Sequence, residues 1–575
     1  MHIFQITFAI SLPYMALAGH QKLIRSLNSG IGISNVTVNL STATVIGAMV
    51  NGVESFAGIP FASPPTGNLR LRPPQRLTKH VGVVDGTGVA TACPQQVFRE
   101  EDLLGAASLL QIFPNFTAGI PVPPKESEDC LTVTVTRPEG VKAGDNLPVL
   151  FWIYGGSFEI GFSAANDPAN FLHFGIALNK PFIFVAVNYR VNGFGFLPGK
   201  EILAEGSGNL GLLDQRMGLE WVADNISEFG GDPNRVVIWG ISAGSISVLN
   251  QLTLYNGNHT YGKTMKPLFR GAVMSSGSII PTNSIASDKA QAVYDRVVKA
   301  AGCSNARSTL QCLREVSYET FMNAVSSEPG PIAYNGFAVS YLPRPDNKTI
   351  LDSPERLIAD GNYAAVPMIL GSMEDEGTFI SLLQPNLTTT ALLAQYLRQT
   401  YFWGASETEL VDYINTYGRG FSEVVLGSPF RTGARNEVFP GYKRRAAIIG
   451  DFVFTLTRRI TLLLTSFVNP NVPAWSYLGS FAQGTPYLGT GHGSDMTPIF
   501  SGTSTIHAAY RLRTSLLNFI YDLNPNEAGE APFWPQWGTG YQQLQILPNS
   551  SRLITDNYRS RNFDWILNNL DILRV

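Results

Sequence analysis

Trp239–Ser247, WGISAGSIS, sets a serine between two glycines directly after NRVVI, an apolar run that reads as a buried strand. Gly240 stands two positions before Ser242 and Gly244 two after it. This is the G-x-S-x-G pattern of a nucleophile elbow, in which a strand turns sharply into a helix and lifts the serine hydroxyl to the apex. Small residues on either side let the backbone turn without side-chain clash. Taken alone, the five residues also fit a serine in an ordinary glycine-rich turn. The surrounding sequence has to separate the two readings.

Outward from the elbow, strand and helix patterns alternate. Leu147–Gly156 (LPVLFWIYGG) is an apolar strand running into glycines, and Lys180–Arg190 (KPFIFVAVNYR) is another. Gly211–Gly231 carries Leu212, Leu219, Trp221, Val222, Ile226 and Phe229 near helical spacing and closes on a glycine pair. The runs LFRGAVMSSGS and VPMILGSMEDEG add short apolar strands with polar or glycine-rich tips. This alternation predicts an α/β fold with a mostly parallel sheet covered by helices on both faces. Sites in such sheets lie at the carboxyl ends of the strands, and each candidate residue follows such a run.

A serine hydroxyl is a poor nucleophile at neutral pH. It needs a base to take its proton, and the base needs an orienting carboxylate. On elbow-bearing sheets the chain order is Ser, then Asp or Glu, then His. Three of the seven histidines follow Ser242. His259 lies inside a sequon and reads as surface. His507, in TIHAAYRLR, reads as a structural helix residue. His492, between Gly491 and Gly493, is free to present its ring as the base. The acid comes from Glu374, Asp375 and Glu376. Glu376 is the natural choice, and the other two read as solvated charges or ion-pair partners. The developing oxyanion needs backbone N–H donors, each worth about 3 kcal/mol in the transition state. Gly156 and Ser157 in WIYGGSFEIG, with Ala243 of the elbow, can supply them. A plain tight turn is the alternative for Gly155-Gly156.

The composition is that of a globular protein. The 575 residues are 44% hydrophobic and 15% charged, with a net charge of −3. That is ample for a large core. It offers no basic surface for nucleic acid. At the N-terminus an apolar stretch from Ile3 ends in Ala16-Leu17-Ala18, a small-x-small cleavage pattern. Gln5, Thr7 and Pro13 interrupt it too soon for a membrane span. Residues 1–18 are therefore expected to be a signal peptide, with 19–575 a single extracellular domain lacking a transmembrane segment. Sequons stand at Asn35, Asn39, Asn115, Asn225, Asn258, Asn347, Asn386 and Asn549, of which Asn225 falls inside a predicted helix. Four cysteines allow three connectivities. Cys93 with Cys130 and Cys303 with Cys312 close the shortest loops in an oxidising compartment. Free buried thiols are the alternative.

Together, GIPFASPPTGNLRLRPP (58–74), SEDCLTV (127–133), YGGSF, NYRVNGFGFL, GNLGLLDQR, FGGDPNRV, GISAGSISV and DEGTF resemble the type-B carboxylesterase/lipase family. SYLPRPDNKTI (340–350), GSPFRTG (427–433) and LGTGHGSDM (488–496) are similar to its fungal lipase/sterol esterase branch, the Candida rugosa lipase type. The resemblance spans nearly the whole mature chain. It implies an α/β-hydrolase fold with Ser242 as nucleophile, Glu376 as acid, His492 as base, and Gly156, Ser157 and Ala243 as oxyanion hole. It implies the same two disulfides, no cofactor and no metal, and a mobile lid within residues 93–130. There Glu100, Glu101 and Asp102 suit a helix N-terminus. Leu103, Leu104, Ala107, Leu110 and Phe113 form an apolar face that would meet lipid on opening. A helix packed permanently on the core is the alternative.

Two positions depart from the family pattern. Ser157 replaces the third glycine of the oxyanion loop, which keeps the N–H but adds a side chain and calls for a backbone angle serine disfavours. Ile241 replaces the glutamate that usually precedes the nucleophile, which makes the surroundings drier. Phe158, Ile241 and Phe379 are candidates for the substrate pocket, with core packing the alternative. The resulting expectation is a secreted serine hydrolase, monomeric or homodimeric. It would cleave apolar carboxylic esters, acylglycerols or sterol esters, through an acyl-enzyme and in contact with a lipid–water interface. A narrow carboxylesterase acting on a small or secondary-metabolite ester is the second reading, and an inactive cholinesterase-like binding or adhesion protein the third. Hydrolysis should need a neutral imidazole, so the rate should fall as pH drops through about 6.5.

Overall fold

The computed structural model describes residues 34–99, 102, 122–262, 265–502 and 506–575. The expected signal peptide, Glu100 and Glu101, the apolar lid face (Leu103, Leu104, Ala107, Leu110, Phe113) and the sequon at Asn115 lie outside these residues.

A thirteen-stranded sheet organises the chain. From one edge it runs β1 (Ser34–Asn39), β2 (Thr44–Val50), β3 (Val53–Pro60), β5 (Thr132–Pro138), β7 (Ile183–Val187) and β6 (Leu147–Ile153). It continues with β8 (Gly231–Ile241), β11 (Gly271–Ser275), β12 (Met368–Met373), β13 (Ala474–Gly479), β14 (Gln542–Ile546) and β15 (Ser551–Thr555). β4 (Val83–Gly86) pairs with β2, while β9 (Thr260–Tyr261) and β10 (Lys266–Pro267) form a separate ribbon. From β7 to β14 every pairing is parallel, as the continuous apolar runs require. Both margins are antiparallel apart from the parallel β2–β4 pair. At β2–β3 the reason is local: Asn51 and Gly52 take φ of 51° and 76°, the left-handed pair of a tight hairpin.

Alternation along the central strands feeds two cores. In β6, Val149, Phe151 and Ile153 enter one cluster, and Leu150 and Trp152 enter the other. In β8, Val236 and Ile238 face the first, and Val237, Trp239 and Ile241 the second. The Trp152 and Trp239 rings lie 4.2 Å apart, and Phe500 stacks on Trp239 at 5.4 Å. Each fully buried large apolar side chain contributes about 1.5–3 kcal/mol. The long pattern after Gly211 divides into a helix, Leu210–Asn225, and a 3-10 turn, Ile226–Phe229, ended by left-handed Gly230.

Several quoted motifs prove to be two halves of ion pairs. Arg70 grips Glu128 through Nε at 2.7 Å and Nη2 at 2.8 Å, joining the GNLRLR and SEDC segments. Arg190 does the same to buried Asp214, through Nε at 2.8 Å and Nη2 at 2.7 Å, joining NYR to LLDQR. Cys93–Cys130 and Cys303–Cys312 are disulfides. Asn35, Asn39, Asn258, Asn347, Asn386 and Asn549 are exposed, whereas Asn225 is half-buried and its amide donates to Trp221 O at 2.9 Å. Among the described residues no helix is long and apolar enough to cross a membrane.

Candidate active site

β8 ends at Ile241, and the elbow helix, Ala243–Gly257, begins one residue later. Ser242 between them takes φ 57° and ψ −125°. A non-glycine residue there carries strain of order 1–3 kcal/mol and persists only where its surroundings hold it. Ser242 N donates to Ser275 O of β11 at 3.0 Å, and Ser242 O accepts from Ile246 N at 2.9 Å. The flanking glycines are demanded by contact. A Cβ on Gly240 would lie 2.2 Å from Gly244 O, and one on Gly244 only 2.1 Å from Ile153 O. Ala243 opens the helix, so its N–H lacks an intrahelical acceptor.

The loop after β6 packs against this turn, since a Cβ on Gly155 would stand 2.9 Å from Ser242 Cβ. Gly156 O accepts from Glu159 N and Ile160 N, both at 3.0 Å, while Gly156 N and Ser157 N donate to no other described residue. Ser157 adopts φ 59° and Phe158 φ 60°, the left-handed region that the Ser157 departure foreshadowed. Each costs about 1–2 kcal/mol for an L-residue. Phe158 is anchored by its ring, edge-on to Phe196 at 5.0 Å.

His492 Nδ1 bonds Glu376 Oε2 at 2.6 Å, which leaves Nε2 as the uncommitted nitrogen. Glu376 is buried, and its Oε1 accepts from Met373 N at 2.6 Å. The imidazole stacks on Phe454 at 4.4 Å and meets Phe337 edge-on at 5.5 Å. Neither acidic neighbour of Glu376 is solvated. Glu374 pairs with Arg431. Asp375 is buried and has no ion-pair partner among the described residues; it accepts from Ser428 Oγ (2.8 Å), Phe430 N (2.9 Å) and Thr490 N (3.0 Å). It thereby ties the acid turn to the histidine loop, which also pairs Asp375 N with Thr490 O. Burial, with Asp375 beside it, pushes Glu374 up to about 7, and burial raises Asp375 as well.

One group near the histidine escaped the sequence reading, although it stands in GHGSDM itself. Asp495 is fully buried and accepts from Tyr477 Oη at 2.7 Å. Tyr477 Oη also meets Ser275 Oγ at 3.0 Å, which accepts from Trp239 Nε1 at 3.1 Å. Burial raises Asp495 to about 6. The remaining histidines are occupied elsewhere. His259 is half-buried rather than surface, its ring 4.9 Å from Phe269 and Nδ1 3.2 Å from Gly257 O. His507, in the helix Ile506–Asp522, has Nε2 2.8 Å from Ser551 Oγ.

A cavity of about 730 Å³, open to solvent, has Ser242, Ala243, Ser157 and Phe158 in its wall. Phe337 and Phe454, which hold the imidazole, line it too. A π-helical turn at Asp451–Thr455 puts the consecutive residues Phe452, Val453 and Phe454 on the wall. Such turns recur at functional sites. Ile241 and Phe379 do not line this cavity. Alternation along β8 sends Ile241 to the opposite core, and Phe379 packs on the main core from the short helix Thr378–Ser381. Lys289 was not foreseen in the wall; burial, with Arg344 nearby, pushes it down to about 7.

Residues 34–565 match the carboxylesterase family. The chain is 52% identical over 548 residues to a secreted triacylglycerol lipase of Gibberella zeae, covering 94% of this chain and 92% of that protein. It is 48% identical to secreted lipase 1 of Botryotinia fuckeliana, covering 93% of each. Among solved structures it resembles EstA of Aspergillus niger, with a TM-score of 0.77 at 25% identity, over 94% of this chain and 99% of that one.

Proposed function

The chain belongs to the carboxylesterase family and is a carboxylic ester hydrolase of α/β-hydrolase fold, and from that premise we propose a Ser242–His492–Glu376 mechanism acting on long-chain acyl esters. Ser242 Oγ attacks the ester carbonyl as His492 Nε2 takes its proton. Glu376, bonded to Nδ1, fixes the tautomer and steadies the imidazolium. Gly156, Ser157 and Ala243 N–H groups bind the oxyanion. His492 then protonates the leaving alcohol, and water activated by the same nitrogen releases the acid.

One observation carries this reading. The imidazole bonded to Glu376 is packed against two phenyl rings of the cavity that Ser242 also lines. The apolar wall, with Ile246, Ile280, Val339, Leu342 and Phe452, supports an acyl chain as the bound portion. The names of its relatives support triacylglycerols as substrates and secretion as destination. Residues 1–18 as signal peptide, a lid within 93–130 and glycans at the exposed sequons complete the proposal.

A fluorescent alkyl phosphonate tests it directly. Wild type should label at Ser242 and lose activity in step, and Ser242→Ala should do neither. Full esterase activity in Ser242→Ala, or labelling at another residue, would overturn the assignment.

A further inference from the structure

The cavity wall changes character along the elbow helix. Ser242, Ile246 and Asn250 all line the cavity, spaced four residues apart on one helix face. At 1.5 Å per residue, Asn250 stands about 12 Å along the axis from Ser242. A zigzag chain of 1.52 Å bonds at about 111° advances about 1.25 Å per carbon, so this depth corresponds to about ten carbons.

Asn250 shares the cavity wall with two more polar side chains, Thr282 and Lys289, and with Ile280, Leu342, Pro343 and Pro354. Asn250 is 2% exposed. Its Nδ2 donates to Ile246 O at 2.8 Å, which fixes the amide's orientation and leaves Oδ1 with no partner among the described residues. Thr282 is 4% exposed, and its Oγ1 likewise has none. Lys289 Nζ donates to Thr400 O at 2.6 Å and Tyr401 O at 3.0 Å. An ammonium has three donors. Nζ also lies 6.0 Å from the centroid of the Trp403 ring, and no carboxylate pairs with Lys289 among the described residues.

A methyl-ended acyl chain would leave Asn250 Oδ1 and Thr282 Oγ1 unmatched. A carboxylate would set its lone pairs against those of Asn250 Oδ1. A hydroxyl accepts from an ammonium and donates to an amide oxygen in one place. We propose that the distal end of this cavity recognises a hydroxyl carried near the tenth carbon of the acyl chain, so that hydroxylated acyl esters are preferred over their saturated parents. The proposal rests on Ser242 being the nucleophile. Lys289, Asn250 and Thr282 then act as specificity determinants for the acyl group.

The test compares kcat/KM for p-nitrophenyl decanoate, its ω-hydroxy and ω-carboxy derivatives, and the plain and ω-hydroxy butyrates, with active enzyme counted by phosphonate titration. For wild type the ω-hydroxydecanoyl ester should exceed decanoyl by about tenfold, since a hydrogen bond to a charged donor and an otherwise unpaired acceptor are both gained. The ω-hydroxybutyryl ester should show no such gain. Lys289→Met should bring the decanoyl ratio to near one. Thr282→Val, which keeps the shape, should reduce it several-fold and guards against misfolding of the lysine variant. A ratio near one in wild type, a preference for the ω-carboxy ester, or a ratio unchanged in both variants would overturn the proposal. In the last case Lys289 only caps the helix Thr390–Thr400. Absence of turnover on every ester would instead overturn the assignment of Ser242.

Discussion

Ser157 has a side chain where the backbone turns left-handed, next to a second left-handed residue, Phe158. Its N–H is needed and its Cβ is not. Ser157→Gly should therefore keep the oxyanion donor and relieve about 1–2 kcal/mol of strain. The greater freedom of glycine in the unfolded chain offsets about 0.4–1 kcal/mol of that. The expected result is a denaturation midpoint at or slightly above wild type, with the largest gains in kcat/KM for branched or bulky acyl groups. A loss of more than about 1 kcal/mol would mean that the Ser157 side chain stabilises the loop. At this scale the sequence was most informative where chemistry compresses residues into short motifs: Ser242 between its glycines, Glu376 before Gly377, His492 between Gly491 and Gly493. It misjudged Asp375 as a solvated charge or ion-pair partner, because the groups that satisfy it, Ser428 and Thr490, lie far along the chain, and it was silent on Lys289.

Among the elements, β6, β7, β8, β11 and β12 could be read because strands buried on both faces become continuous apolar runs. The antiparallel margins were harder, because half-exposed strands carry a weaker pattern; at β2–β3 the Asn51-Gly52 signal was present. The π-helical turn at Asp451–Thr455 has no sequence signature, since one extra residue per turn is decided by packing. Strand-to-helix connections also rest on buried charge. Arg190 leaves β7 and clamps Asp214 in the helix Leu210–Asn225, with Nη1 donating to Arg72 O at 2.8 Å. Asp214→Ala would strand that guanidinium, and removing one partner of a buried pair costs about 3–5 kcal/mol. Chemical denaturation should show a loss of that size. Asp214→Ala together with Arg190→Met should recover part of it.

Across the whole molecule the buried carboxyls set the response to pH. Glu159, two residues after Ser157, is fully buried, and burial with Glu328 and Asp102 nearby holds it well above its ordinary range against an opposing backbone contact from Ser340. Glu374 is raised from 4.5 to about 7, and Asp495 from 3.8 to about 6, both by burial. A carboxyl raised in the folded state binds its proton more tightly there. It favours the fold below its unfolded value, and that contribution is lost as pH rises through 6 to 7. Asp556 has the opposite sign. Gripped by Arg458 and Arg459, it is lowered from 3.8 to about 2, and its contribution is lost as pH falls through that range. Thermal unfolding should therefore give a maximum Tm in mildly acidic buffer, a decline toward pH 8 and a collapse near pH 2. Glu374→Gln should flatten the alkaline side. Catalysis needs a neutral imidazole, so turnover should improve in the direction in which the fold weakens.

The contorted backbone at Ser242 has a consequence on the evolutionary timescale. Glycine accepts φ 57° with ψ −125° where serine is strained. Ser242→Gly should thus abolish turnover and yet raise stability by about 1 kcal/mol, readable as a higher unfolding midpoint in an inert protein. Drift at this codon runs downhill in folding free energy and uphill only in fitness. A lineage released from the need to cleave esters would be expected to surrender the serine early and keep the scaffold, sturdier than before, for whatever else its surface can do.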